Sequence, residues 1–106
     1  MSREFPVNRE NIRRPTTHPG VLFERDILPA LGRRTVGEIA TLLGVSRQTL
    51  HRVMAGDTAI SPEMAVRLGK LCGNGPELWL ALQARYDAWR AKRRLGKSIE
   101  KIPTLT

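Results

Sequence analysis

The sequence is poor in the residues that build covalent cross-links and large aromatic cores. Its 106 residues include one cysteine, two histidines and only 5% aromatic side chains. Cys72 has no partner for an intramolecular disulfide and stands at helical spacing from Leu68 and Leu71, so it is predicted to be a buried thiol rather than a catalytic or metal-binding one. Such a thiol is typical of the reducing cytoplasm.

The patterns that mark enzymes and membrane proteins are also missing. His18 and His51 belong to different predicted elements, and the sequence has no paired carboxylates, glycine-rich phosphate loop or metal-ligand spacing. It has no apolar run of about 18 residues and no signal-peptide pattern. We therefore expect a cytoplasmic protein without catalytic activity, cofactor, metal or membrane association, built as one domain with tails.

Acidic residues are scarce relative to basic ones. The chain has 18 lysines and arginines against 10 aspartates and glutamates, which gives a net charge of +8. Such a balance is typical of proteins that bind polyanions. Charge alone also fits a ribosomal or membrane-surface protein, so the class of partner has to come from a sequence motif.

The motif lies in residues 36–55, VGEIATLLGVSRQTLHRVMA, which predict two short helices joined by a turn at Gly44. Ala40 is small enough to let the two helix axes approach, and glycine favours the positive φ of a tight turn. Five apolar residues fall where two crossing helices would share a core: Ile39, Leu43, Val45, Leu50 and Val53. This pattern predicts a helix-turn-helix DNA-binding motif.

The second helix of the motif, predicted at about 46–55, has a polar face suited to DNA bases. If Ser46 caps this helix, four side chains share an arc of about 140°. We call them the recognition face: Arg47, Gln48, His51 and Arg52. Arginine can donate two hydrogen bonds to guanine, and glutamine can pair with adenine. The alternative is an ordinary solvated helix face.

The whole pattern predicts an all-α fold of five helices. Helix starts are marked by Pro19, by a capping box of Thr35 with Glu38, and by Ser61; helix ends are marked by Pro29, Gly44 and Gly73. We expect a flexible arm at 1–17, the helical domain at 18–94 and a tail at 95–106. Basic residues follow Ala88, either as a solvated helix end or as phosphate or partner contacts: Arg90, Lys92, Arg93, Arg94, Lys97 and Lys101.

The fifth helix, predicted at about 76–93, carries an apolar stripe. Its members recur at three- and four-residue steps: Leu78, Trp79, Leu82, Tyr86 and Trp89. Four of them are predicted to form a dimer interface: Trp79, Leu82, Tyr86 and Trp89. The alternative is that the stripe closes the monomer's own core, and a shared role is also possible. A dimer would suit DNA binding, because two recognition helices can span half-sites about 34 Å apart.

These residues together resemble the HigA antitoxins, the VapI group within the phage-repressor and Cro-like class of helix-turn-helix proteins. The resemblance covers residues 18 to about 89. Its specific pieces are HPG with RDIL, GVSRQTLHRVMAG, ISPEMAVRLGK and PELWLALQARYDAW. The chain departs from the family pattern at Val21, where an acidic residue is usual, and has a weak helix former at Gly37.

The resemblance implies a dual role. The protein would neutralise an RNA-cleaving HigB-type toxin and, as a homodimer, repress its own operon by binding a palindromic operator. By position, Arg47, Gln48 and Arg52 would contact base edges, Ser46 and Thr49 would contact phosphates, and His51 would be a less regular contact. The alternative function is a free-standing transcriptional regulator without a toxin.

The resemblance transfers no toxin-binding motif, so the toxin surface has to be inferred from charge. RNA-cutting toxins are usually basic, which favours acidic or apolar contacts. We expect these in the N-terminal arm and first helix, which contain Glu4, Phe5, Val7, Glu10, Ile12, Phe23, Glu24 and Asp26. An arm without structure of its own can fold on binding. The alternative is an arm without a partner.

Overall fold

The computed structural model describes residues 16–106, which form five α-helices and no β-strand. The helices are α1 (Pro19–Leu22), α2 (Val36–Leu43), α3 (Arg47–Met54), α4 (Pro62–Cys72) and α5 (Pro76–Leu95). The predicted all-α fold class is confirmed for this part of the chain. The predictions that concern residues 1–15 lie outside the described residues.

The prediction that Pro29 ends the first helix is wrong. After α1 the chain continues as a π-helical turn over Phe23–Ile27 and a 3₁₀ turn over Leu28–Leu31. The Leu28 N–H donates to the Phe23 carbonyl, and Pro29 stands in the first turn of the 3₁₀ segment. Proline is tolerated there because first-turn N–H groups have no acceptor within the helix.

The predicted helix caps are confirmed. Thr35 Oγ1 accepts a hydrogen bond from the Glu38 N–H at 3.1 Å, and Glu38 Oε1 accepts from the Thr35 N–H at 3.3 Å, which completes the capping box of α2. Ser61 Oγ accepts from the Met64 N–H at 3.1 Å at the start of α4. Each side-chain cap contributes about 1 kcal/mol, because it satisfies a backbone donor that the helix leaves unpaired.

The core is formed by residues from the π-helical turn and from α2, α3, α4 and α5. Its largest side chains are almost completely buried, among them Phe23, Ile39, Leu50, Leu68 and Trp79. The Phe23 ring meets Trp79 edge-on, with ring centroids 6.1 Å apart. Phe23 is 0% exposed, so the prediction that it contributes to a partner surface is wrong. Its burial contributes about 1.5–3 kcal/mol to the stability of the fold.

Gly20 lets α1 approach the back of α3. A Cβ added at this position would lie 1.8 Å from the Val53 carbonyl oxygen, well inside van der Waals contact. Only a glycine fits a backbone approach this close. The first helical segment is thereby packed directly behind α3, on the side opposite its exposed residues.

The last helix is longer than predicted, and its buried face differs from the predicted one. α5 ends at Leu95 instead of 93. Leu78 is 46% exposed, so its predicted place in the apolar stripe is wrong, while Gln83 is buried. Gln83 Oε1 accepts from the Ile60 N–H at 2.8 Å. Hydrophobic periodicity cannot anticipate a glutamine that is buried because it satisfies a backbone donor.

Candidate nucleic-acid interface

The start of α3 is fixed by a turn and a cap. Gly44 has φ 75°, the left-handed conformation predicted for it. Ser46 Oγ accepts a hydrogen bond from the Thr49 N–H at 3.0 Å and donates to Thr49 Oγ1 at 2.8 Å. Because the Ser46 hydrogen is used in this pair, the Thr49 hydroxyl keeps its own hydrogen for an external acceptor.

The recognition face points away from the protein. Leu50, Val53 and Met54 are buried in the core, whereas all four side chains of the face are exposed. Within residues 16–106, no hydrogen bond or salt bridge from these four side chains is present. The predicted division of α3 into a buried and an exposed side is therefore confirmed, and the exposed side combines two guanidinium groups with an amide and an imidazole.

The Arg47 side chain passes close to the first turn of α2. A Cβ added at Gly37 would lie 3.6 Å from Arg47 Cδ, so the arginine stem passes over the first turn of α2. Arg47 as a whole is exposed, so its charged end is open to solvent.

His18 caps α1 from a buried position that the sequence does not predict. Its Nδ1 accepts a hydrogen bond from the Gly20 N–H at 2.9 Å, and its ring meets Tyr86 edge-on at 5.1 Å. Burial lowers the pKa of His18, and Arg90 acts in the same direction, while a hydrogen bond with the Thr58 backbone and the charge of Asp87 act against it. The histidine therefore links α1, the loop after α3, and α5 as a neutral ring.

Arg67 is a second residue that the sequence did not single out. Its Nη1 donates to the Leu43 carbonyl at 2.8 Å, and its Nη2 donates to Glu63 Oε1 at 2.9 Å. From sequence, the spacing of Glu63 and Arg67 indicates only a surface ion pair on one helix. The bond to the Leu43 carbonyl is a tertiary contact, which no local pattern contains.

The apolar stripe of α5 is divided between core and surface. Trp79 is 1% exposed and its Nε1 donates to Asn74 Oδ1 at 3.1 Å, so its prediction as a dimer contact is wrong. Leu82 packs partly against the core. Tyr86 and Trp89 are partly buried, and the guanidinium groups of Arg90 and Arg93 lie 5.7 and 5.0 Å from their respective ring centres.

The other predicted features have the following positions. Cys72 is partly rather than fully buried, and burial raises the pKa of its thiol. The six predicted basic tail residues are all exposed, and the chain after α5 forms a 3₁₀ turn at Gly96–Lys101. In the part of the chain that the structure describes, no helix is both long and apolar enough to cross a membrane.

An exposed cationic face on the second helix of such a motif is the arrangement of helix-turn-helix DNA-binding proteins. A family profile described as "Helix-turn-helix domain" matches residues 13–82, and the chain belongs to this class. The curated antitoxin HigA-1 of Vibrio cholerae is 31% identical over 97 residues, which cover 92% of this chain and 90% of that protein. Within the class, the chain belongs to the HigA antitoxin family.

A second relative and a solved structure are also similar to this chain. Virulence-associated protein A' of Dichelobacter nodosus is 45% identical over 71 residues, 66% of this chain and 60% of the relative's length. The solved structure of Pseudomonas aeruginosa antitoxin HigA with the higBA promoter has a TM-score of 0.79 and 31% identity, with 88% of this chain and all of that chain covered. The backbone similarity therefore extends beyond the helix-turn-helix motif itself.

Proposed function

We propose that this chain is an antitoxin that neutralises a HigB-type RNA-cleaving toxin and, as a homodimer, represses its own operon. The observation that carries the DNA-binding part is the recognition face: four exposed side chains without protein partners in the described residues, on a helix fixed from behind. The similar HigA of Pseudomonas aeruginosa has been solved with promoter DNA. An operon repressor acts in the cytoplasm, where the DNA is.

The residues of α3 have distinct roles in this proposal. Arg47, Gln48 and Arg52 contact base edges in the major groove, where planar side chains with several donors can distinguish base pairs. Thr49 donates its hydroxyl hydrogen to a phosphate, and Ser46 holds Thr49 in place for that contact. His51 lies on the same exposed side and adds a contact of lower specificity.

The dimer interface in this proposal uses the outer part of the α5 stripe. Leu82, Tyr86 and Trp89 remain partly accessible in the monomer, and aromatic side chains are common in the centres of such interfaces. A two-fold dimer would present two α3 helices to a palindromic operator. The net charge of +8 supports the DNA contact, because lysines and arginines displace counterions from phosphates.

We place the toxin contact away from the recognition face, because an antitoxin that represses while bound to its toxin has to hold both partners. Glu24 and Asp26 are exposed near α1, although Asp26 pairs with Arg25 at 2.9 Å. The acidic and apolar residues of the N-terminal arm complete the proposed surface. Basic toxins would be attracted to these acids despite the positive net charge of the chain.

The proposal is tested by two measurements on the same protein. Fluorescence anisotropy compares binding to DNA from upstream of its own gene with binding to a scrambled duplex. Co-expression with the adjacent small open reading frame tests rescue from toxicity, and deletion of residues 2–17 should weaken rescue while operator affinity stays within a few fold. Specific DNA binding without rescue by the full chain would instead identify a free-standing regulator.

A further inference from the structure

We propose that Arg67 is a positioning residue for operator recognition, which holds the turn in front of α3 without contacting DNA. This inference rests on the proposed DNA-binding function. Arg67 lies on α4, outside the recognition face, and acts through the turn between α2 and α3. We call Arg67, Glu63 and the Leu43 carbonyl the turn clamp.

The clamp completes the hydrogen bonding at the end of α2. The N–H groups of Gly44 and Val45 bond to the carbonyls of Thr41 and Ala40 at 3.1 and 3.0 Å. Leu43 lies beyond these bonds, and its carbonyl accepts from Arg67 Nη1 at 2.8 Å. A weaker approach of the same nitrogen to the Gly44 carbonyl, at 3.5 Å, centres the guanidinium on the turn.

The clamp connects the turn to the rigid part of the molecule. Arg67 stands next to Leu68, which is fully buried, so the base of its side chain is fixed by the core. Glu63 Oε1 accepts from Arg67 Nη2 at 2.9 Å and sets the orientation of the planar group. Ser46, the cap of α3, follows the clamped carbonyl of Leu43 by three residues, so movement of the turn would redirect the first turn of α3.

The space at Gly44 is consistent with this interpretation. A Cβ at Gly44 would lie 2.7 Å from Arg67 Nη1. The glycine therefore suits the φ of 75° and leaves space for the guanidinium in its present position, from which a side chain at residue 44 would displace it. The alternative is that Arg67 contacts a phosphate, since it lines a groove with Ser46 and Thr49. Glu63 argues against this, because its carboxylate offsets the charge that would attract the phosphate.

The test measures operator affinity against salt concentration for the wild-type chain and for Arg67→Met, Arg67→Lys and Lys70→Met. Lys70 is exposed on the same helix, and its replacement controls for the loss of one positive charge. All measurements are made at a temperature where circular dichroism shows each variant folded. A merely structural role would then leave affinity unchanged.

We expect Arg67→Met and Arg67→Lys to weaken operator binding about tenfold or more, because a displaced α3 loses at least one base contact. Both variants should also show a reduced preference for operator over scrambled DNA. The slope of log affinity against log salt should equal that of the wild type. A salt dependence shallower by about one in Arg67→Met, or wild-type affinity in Arg67→Lys, would assign Arg67 to a phosphate and overturn the proposal.

A milder variant keeps the test decisive if Arg67→Met does not fold. Glu63→Gln removes the charge that orients the guanidinium but leaves Arg67 in place, and it should lower operator preference by a smaller factor with an unchanged salt slope. A steeper salt slope in Glu63→Gln would indicate that the released arginine contacts phosphate, against the proposal. If the wild-type chain itself shows no operator preference, the proposed function fails rather than the role of Arg67 alone.

Discussion

The two sides of α3 differ in their contacts with the rest of the protein. On the inner side, Leu50, Val53 and Met54 are buried, and Gly20 packs against the Val53 carbonyl. On the outer side, the recognition face is exposed and, within residues 16–106, its side chains bond to no protein group. The inner side fixes the position of the helix, and the outer side keeps its donors available. Specific recognition requires both, because free donors discriminate between bases only when their geometry is fixed.

The largest expected effect comes from disrupting the packing of α1 against the inner side of α3. Gly20→Ala places a Cβ 1.8 Å from the Val53 carbonyl oxygen, so α1 and α3 have to separate. We expect the free energy of unfolding to fall by about 3 kcal/mol or more, measured by urea denaturation.

Gly37→Ala is the matched control, since it also adds a methyl group to a helical glycine. The nearest atom outside its own turn would be Arg47 Cδ at 3.6 Å, an ordinary contact. We expect this variant to be as stable as the wild type or more stable by up to about 1 kcal/mol. Similar losses in both variants would show that close packing behind α3 is not the cause.

The next effect concerns whether the outer part of α5 joins two copies of the chain, so that two α3 helices act together. Trp89→Glu places a charge in the proposed dimer interface and should shift the protein to monomers, measured by sedimentation, while helical content is retained. Operator affinity should fall with it, because a monomer contacts one half-site. Leu78→Glu adds the same charge at an exposed position off the stripe and should leave the dimer intact. A dimer that persists in Trp89→Glu would move the interface elsewhere.

A smaller effect is expected from changing the outer side alone. Arg47→Ala and Arg52→Ala should each weaken operator binding by about 1–3 kcal/mol and relax selectivity at particular base pairs. The fold should not change, because neither side chain bonds to the protein in the described residues. Arg85→Ala removes an exposed arginine from α5 and serves as the control in the same anisotropy titrations at fixed salt. Unaltered selectivity in both α3 variants would assign recognition to other residues.

The smallest expected effect is a pH dependence of the free energy of unfolding, which comes from His18 on the inner side. Burial holds the pKa of His18 below its ordinary value of 6.5. As the pH falls, His18 is therefore protonated in the unfolded chain before it is protonated in the folded chain. The contribution of neutral His18 is therefore complete above about pH 6.5 and is lost as the pH falls below that value. Protonation at Nδ1 would also remove the acceptor for the Gly20 N–H.

Denaturation between pH 7 and pH 5 checks this dependence. His18→Asn keeps a possible acceptor and cannot titrate, so its stability should vary less over this range than that of the wild type. His51→Asn, on the exposed side of α3, removes the other histidine of the chain and is the matched control variant. Equal slopes in all three proteins would exclude His18 as the source.

Local sequence patterns were sufficient for the helix-turn-helix motif. The bounds of α2, the capping box of Thr35 with Glu38, and the Ser46 cap all depend on residues within a few positions of one another. The division of α3 into buried and exposed sides follows from the same 3.6-residue periodicity. The identity of the recognition face could therefore be predicted before any fold was known, although its contacts with DNA remain a proposal.

The contacts that hold this motif in place could not be predicted in the same way. His18, Arg67 and Gln83 each satisfy a backbone group, and two of these groups lie 23 and 24 positions away in the chain. Pairing over such separations depends on how the helices pack. Likewise, the sequence marks Trp79 and Trp89 as members of one stripe, whereas their depths differ because only the first half of α5 lies over the core.

The sequence by itself determined where the helices begin and end around the motif, which residues α3 presents to solvent, and the positive charge that suits DNA. Helix periodicity and capping are local, and net charge needs only a count. The tertiary structure alone decided which polar residues serve the interior and how closely α1 approaches α3. Those outcomes depend on distances between segments that are remote in sequence, and a local pattern contains no information about such distances.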